Sequence, residues 1–330
     1  MEINEIALFA AKLTEYQKKN VISLITKYLD LNEEISDTKP CSCPRCGSDV
    51  RFIRKGFSNG KQRYQCKSCG AKFTFDAGKI TAHSHQSPDK WVVAIEDTFN
   101  GSSVDDLAFH IGVHHSTAFN IRHKILNALE SLISNMDSLG GMIEADETYV
   151  LESQKGVKVT HRKARIHGAK ASKRGLSDEQ ICICVATDRD GHMYSKSVNR
   201  AKASCDDIMN ALDSKITDDS IFMCDGADSY NELIKSHNCK KVELIGHESY
   251  DKVYHLNTVN SIHSRIKNLY EHYHGVATKY LNRYLAMFTF IEMSSGISSG
   301  EMAMNFMNKI KTMNVYSSIY DLKTANLLMI

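Results

Sequence analysis

The sequence predicts a multidomain chain: a small cysteine-rich module and a helix-turn-helix, followed by an α/β domain with a mixed sheet flanked by helices. Two C-x-x-C pairs crowd residues 43–69, and a glycine-containing pair of helical segments spans 102–128. From about residue 142, short β-branched runs alternate with helical segments. A length of 330 residues suits two or three domains, and 42% hydrophobic residues is enough for packed cores. The boundaries read as an N-terminal helical segment over 1–40, the cysteine module over 41–76 and the helix-turn-helix over 88–135. An α/β domain over 140–295 follows, with a basic insertion at 153–177, and then a C-terminal helical tail over 296–330.

Composition narrows the function classes. No run approaches the roughly eighteen apolar residues a membrane span needs. The start, MEINEIALFAAKLTEYQKKN, carries Glu2 and Glu5 instead of a basic, then apolar, leader, so a cytoplasmic location without membrane partners is expected. A net charge of only +2 means that binding to a polyanion must rest on local clusters. Five of the ten cysteines, Cys41, Cys43, Cys46, Cys66 and Cys69, lie in one short region, a metal-binding distribution and not a disulfide framework.

Residues 14–29 combine a Thr14/Gln17 capping pattern with Val21, Leu24, Ile25 and Leu29 at helical spacing, which predicts a short amphipathic helix. Pro40 closes it. Cys43-Pro-Arg-Cys46 and Cys66-Lys-Ser-Cys69 are then separated by nineteen residues, a spacing that fits a structural four-cysteine zinc site, with Cys41 outside the ligand set. Gly47 and Gly70 follow the two pairs and permit the tight turns that aim both sulfurs at one ion. Free thiols in a loop are the bland alternative. The module is also basic: Arg45, Arg54, Lys55 and Arg63 stand among further cations with little acid nearby, which favours nucleic-acid contact over a purely scaffolding or protein-binding role.

Ser87 and Pro88 lead into a helix opening at Asp89. In SSVDDLAFHIGVHHSTAFNIRHKILNAL, apolar Val104, Leu107, Ala108 and Ile111 precede Gly112, and a second helix opens near His114–Ser116. That is the helix, turn and recognition-helix pattern, with His115, Thr117, Asn120, Arg122 and Lys124 expected on or beside the outer face for DNA contact. An ordinary helical hairpin has the same periodicity. The basic insertion carries Arg162, Lys163, Arg165, Lys173 and Arg174, together with Lys155, Lys158 and Lys170, and has no acid until Asp178; it reads as a DNA-binding arm, or else as a solvated loop.

The α/β region reads as strand (GMIEADETYV), insertion, strand (ICICVATD), an Asp190-Gly191 hairpin, strand (MYSKSV), helix, strand (IFMCD), helix, strand (KVELIG) and two helices near 258–273 and 278–293. Asp146 and Asp225 stand in or at the end of apolar strands, where hard divalent cations find oxygen ligands; a solvated strand-end acid is the alternative for either alone. In VNSIHSRIK, Asn260, His263, Ser264 and Lys267 share one helix face, opposite Val259, Ile262 and Ile266. That polar stripe is the third wall of a site for phosphoryl transfer, with an amide oxygen completing a metal site and a lysine holding phosphate. Glu144, Glu147 and Asp228 read first as strand-end or turn residues.

The order of these parts, with ADETYV, CDGADSY and HLNTVNSIHSRIKNLYEHYHGVATKYLNRYLAMFTF, resembles the ISXO2-like group of bacterial insertion-sequence transposases over nearly the whole chain. The resemblance implies an RNase-H-like catalytic domain that cuts and rejoins DNA at the ends of its own mobile element. It implies Asp146 and Asp225 as the first two catalytic acids, Asn260 where many relatives carry glutamate, and Lys267 as the associated basic residue. It further implies Mg²⁺ or Mn²⁺ at Asp146, Asp225 and Asn260, and two ions roughly 3.5–4 Å apart serving an in-line attack. His263 or Glu271 stay open as the third ligand, since asparagine lacks the charge of a carboxylate. The implied partners are double-stranded DNA, as terminal inverted repeats and target, and further copies of the chain on that DNA. A zinc-ribbon DNA-binding regulator with an inactive RNase-H-like domain, and a metal-dependent nuclease without strand transfer, are the competing readings.

Overall fold

The computed structural model describes residues 42–49, 51–58, 61–74, 76–155, 170–245, 252–310 and 313–324, together with Thr14, Lys18 and Pro40. The helix expected over 14–29, Cys41, and Arg162, Lys163 and Arg165 of the basic insertion lie outside the described residues. Two compact units divide at Gly78 and Lys79.

The first unit is an antiparallel three-stranded sheet of β1 (Phe52–Ser58), β2 (Lys61–Cys66) and β3 (Lys72–Thr74), in that order. Its buried core is small: Cys43, Tyr64, Cys66 and Phe73, with Phe52 edge-on to Phe73 at 5.5 Å. Two matching knuckles carry the cysteines. In each, a glycine with φ near +70° donates its amide to the first cysteine's carbonyl, Gly47 to Cys43 at 2.9 Å and Gly70 to Cys66 at 3.0 Å.

The second unit opens with α1 (Pro88–Phe99), α2 (Val104–Ile111) and α3 (His115–Ser134). Ser103 and Asp106 cap each other's ends of the first turn of α2, and Gly112 at φ +63° ends that helix, producing the tight turn the sequence predicts. The sheet follows: β4 (Met142–Leu151), β5 (Gln180–Asp188), β6 (Met193–Arg200), α4 (Cys205–Leu212), β7 (Ile221–Cys224), α5 (Asn231–Ser236) and β8 (Lys240–Glu243). Last come α6 (Asn257–His272), α7 (Leu281–Met293), α8 (Ser299–Ile310) and α9 (Ile319–Thr324).

The five strands run in the order β6-β5-β4-β7-β8. β4, β5 and β6 form an antiparallel meander, and β7 and β8 join β4 in parallel through helical crossovers. This is the mixed, helix-flanked sheet that the sequence predicts. Alternation along β4 sends Ile143 and Ala145 to a core shared with α4 and α5, while Val150 joins Met223 in a second core under α6 and α7. β5 is buried on both faces, as the unbroken run ICICVATD requires.

The segment read as a C-terminal tail is part of the helical core. Phe306 of α8 is fully buried edge-on to Phe99 of α1 and Phe290 of α7, at 5.9 Å from each. The same cluster takes Leu107 of α2 and Ile125 of α3, so the helix-turn-helix shares its interior with helices that follow the sheet.

Candidate functional site

The thiols of Cys43, Cys46, Cys66 and Cys69 all lie within 4.8 Å of one another, and among the described residues this is the group of three or more histidine, cysteine or acidic side chains placed to share an ion. Cys43 Sγ stands 3.6 Å from Cys69 Sγ, and Cys46 Sγ 3.8 Å from Cys66 Sγ. A tetrahedron of zinc–sulfur bonds near 2.3 Å has edges of about 3.8 Å, so the four thiols fit zinc. Arg45, Arg54 and Lys55 are exposed around this unit and Arg63 is half-buried.

The second cluster forms where β4, β7 and α6 meet. β4 and β7 pair in parallel with Ile143 against Phe222 and Glu144 against Met223. Two residues further, that register sets Asp146 opposite Asp225, one residue past the end of β7. Alternation puts Asp146 on the same face of the sheet as Glu144, and Asp225 on the same face as Met223, which is the face α6 covers. Gly226, at φ +90°, turns the chain sharply away after Asp225, whose Oδ1 accepts from the Ala227 amide at 3.0 Å.

Helix α6 presents the polar stripe toward these acids. His263 is buried, with Nδ1 3.8 Å from Asp146 Oδ2, while Asn260 and Lys267 are exposed one turn to either side. Burial and the Lys267 charge hold the imidazole down to about 4, so it stands neutral beside Asp146 and forms no ion pair. Its Nε2 is buried without a hydrogen-bond partner. Asp146 is pushed up to about 7, chiefly by burial; the Glu147 amide opposes this, the Asp225 and Glu147 carboxylates add to it, and Lys267 partly offsets it. Glu271 stands eight residues beyond His263, roughly 12 Å along the helix, and of the three third-ligand candidates His263 is the one that lies against Asp146. A pair of aspartates of which one resists ionisation is a donor set that a hard divalent cation suits.

Three acids read from sequence as strand-end or turn residues separate here. Asp228 opens a 3-10 turn and accepts from the Asn231 side chain at 3.0 Å, as a turn residue does. Glu147 points to the opposite face from Asp146, where Ser229 Oγ donates to it at 3.4 Å. Glu144 is 1% exposed in mid-strand, and accepts from the Thr258 and Val259 amides at 2.9 and 3.0 Å and from Arg189 at 2.7 Å. A glutamate at a strand position of inward parity, in GMIEADETYV, is the signal that could have identified it.

The helix-turn-helix corrects one expected DNA contact outright. Arg122 is 2% exposed, and its guanidinium donates to the carbonyls of Ser102 at 2.6 Å and Ser103 at 3.1 Å, because this side of α3 packs on Tyr284 and the α1–α2 loop. Its long apolar stem lets it reach the loop from inside. Lys124 is half-buried over the Tyr316 ring at 5.5 Å, away from the open first turn. His115 remains exposed and pairs with Asp105 at 2.6 Å, and Thr117 and Asn120 are partly exposed. Arg122→Ala is therefore expected to lower stability by about 3 kcal/mol through two lost charged hydrogen bonds, with DNA affinity of the folded protein unchanged. Urea denaturation and a DNA titration separate this from a contact role, in which affinity falls and stability does not.

In the basic insertion, Lys173 and Arg174 are exposed, Lys173 pairing with Asp178 at 3.3 Å. Lys155 instead folds onto the end of α6. Among the described residues no helix is long and apolar enough to cross a membrane.

The family model for the ISXO2-like transposase domain matches residues 138–292, the span that holds β4 through α7. Among solved structures, the chain is similar to the Mos1 Strand Transfer Complex, with 14% identity over 75% of this chain and 82% of that one and a TM-score of 0.25. It is also similar to the Mos1 mariner paired end complex with Mn, with 13% identity over 74% and 80% of the two chains and a TM-score of 0.25. Superpositions this loose add nothing to the strand order itself. No curated protein matches the sequence. The mixed sheet and the register of β4 and β7 lie within the span, residues 138–292, that matches the ISXO2-like transposase domain family.

Proposed function

We propose that the protein is a metal-dependent DNA transposase that cuts and joins the ends of an insertion sequence, with Asp146, Asp225, Asn260 and Lys267 as its site. The observation that supports the reading is the parallel register that sets Asp146 opposite Asp225 on the face α6 covers, with His263 and Lys267 beside Asp146, within the span that matches the transposase family. Asp146 and Asp225 hold the divalent ions, and Asn260 lends its carbonyl oxygen to them. When bound, such ions activate the attacking oxygen and stabilise the leaving one in an in-line displacement at phosphorus. Lys267 meets the phosphate with its exposed ammonium. The neutral, buried His263 ring walls the side of the site next to Asp146.

Double-stranded DNA, as element ends and as target, is the substrate. The exposed cations Arg45, Arg54, Lys55, Lys173 and Arg174, and the first turns of α3 with His115, Thr117 and Asn120, supply its contacts, and two copies of the chain hold two ends. The zinc site holds the ribbon in shape for that contact. Incubation with labelled element ends and a target, in Mg²⁺ or Mn²⁺, is expected to yield cut and joined products that disappear in Asp225→Ala and fall in Asn260→Ala. Cut ends without joined products would make it a nuclease; DNA bound but neither cut nor joined would make it a regulator.

A further inference from the structure

Helix α6 carries one wall of the proposed site, and among the described residues the only local side chain to accept at its start, His255, reaches just the Asn257 amide, at 3.4 Å. Its N-cap position is Leu256, 2% exposed and packed in the core with Val259 and Ile262, and no side-chain cap bond is made there. An apolar side chain cannot accept from the free amides of a first turn. Glu144, reaching across from β4, does so instead: Oε2 accepts from the Thr258 and Val259 amides at 2.9 and 3.0 Å, and Oε1 from the Thr258 hydroxyl at 2.8 Å. Arg189 at 2.7 Å and His255 at 3.4 Å close around the same Oε1. Every acceptor direction of this carboxylate is used, which is what lets it remain buried.

The opposite end of α6 is held from the same strand. Lys155, four residues past β4, donates from Nζ to the carbonyls of Tyr273, His274 and Gly275 at 3.3, 2.9 and 2.7 Å. The Tyr270 hydroxyl also donates to the Leu151 carbonyl at the end of β4. An anion thus sits at the N-terminus and a cation at the C-terminus, each with the sign the helix dipole favours. Both belong to the segment that carries Asp146 between them.

We propose that Glu144 is a positioning residue: it is the N-cap of α6 supplied by the neighbouring strand, and with Lys155 it fixes where along β4 the Asn260–Lys267 face stands relative to Asp146. Its effect on turnover rests on the transposase reading, whereas the clamp does not.

The test uses the full-length, zinc-loaded protein with Glu144→Gln, nearly isosteric but with a single acceptor oxygen, and Lys155→Met, whose exposed site puts no fold at risk. Hydrogen exchange is read at residues 256–263, 268–276 and 180–188, beside DNA affinity and Mn²⁺-dependent cleavage at saturating DNA. Glu144→Gln is expected to speed exchange in the first turn of α6 by about tenfold while β5 keeps its protection. Turnover falls by about ten- to a hundredfold at unchanged DNA affinity, as a displaced catalytic wall requires. Lys155→Met loosens 268–276 and lowers turnover less. Unchanged exchange at 256–263 overturns the clamp; faster exchange with undiminished turnover overturns the positioning role. If wild-type protein neither cuts nor joins DNA, the transposase reading fails with the role in turnover, and the exchange data still decide the clamp.

Discussion

Asp146→Asn is expected to raise the melting temperature of the magnesium-free protein at pH 8 while lowering DNA cleavage by at least about a thousandfold. The two effects share one cause. Asp146 is half-buried opposite Asp225 and close to Glu147, and without a cation the folded protein holds its proton up to about 7 instead of 3.8. A carboxyl raised in the folded state contributes stability below its unfolded value, and that contribution is lost as pH rises through the folded value. At pH 4 the two proteins should therefore melt alike; the gap opens between pH 4 and 7 and stays constant above, each kcal/mol amounting to roughly 3 °C. Added Mg²⁺ should raise the melting temperature of the wild type and leave the variant where it was, since only the former gains a ligand. Calorimetry at pH 4, 6 and 8 reads all of this. A variant less stable than wild type at pH 8 would mean that the carboxylate is structural.

Removing zinc, or replacing Cys66 with serine, is expected to unfold the first unit while leaving residues 79–330 folded. Four buried residues and an edge-on phenylalanine pair make too small a core to offset the conformational entropy of three strands. A structural zinc supplies on the order of 10 kcal/mol or more in such modules. The second unit has three separate cores that share no residue with the ribbon. Limited proteolysis with and without a zinc chelator should release fragments from the first 78 residues and spare Trp91, whose fluorescence reports on the helical core. Binding to element ends falls with the ribbon. Retained protease resistance after zinc is gone would show that the strands need no metal.

The zinc site was legible because its ligands lie close in sequence: two knuckles, each a local backbone motif, carry all four thiols, and a single hairpin brings them together. The sheet was legible for a related reason. ICICVATD is apolar without interruption because β5 is buried on both faces, and the mixed texture of GMIEADETYV marks a strand with acids on it. Even the polar face of α6 follows from spacing alone, since Asn260, His263 and Lys267 recur at three and four residues.

Sequence by itself therefore determined the metal-binding ribbon, the order of strands and helices, and the candidate residues on each. Only the tertiary structure decided what those residues face. Periodicity defines a side of a helix without saying what packs there, so Arg122, expected outside, lies under the α1–α2 loop. Residues 299–310 have the period of any amphipathic helix, and nothing local says that Phe306 closes the core begun by Phe99. Glu144 is the clearest case. Its partners are the amides of residues 258 and 259, more than a hundred positions away, and backbone amides leave no mark in a sequence.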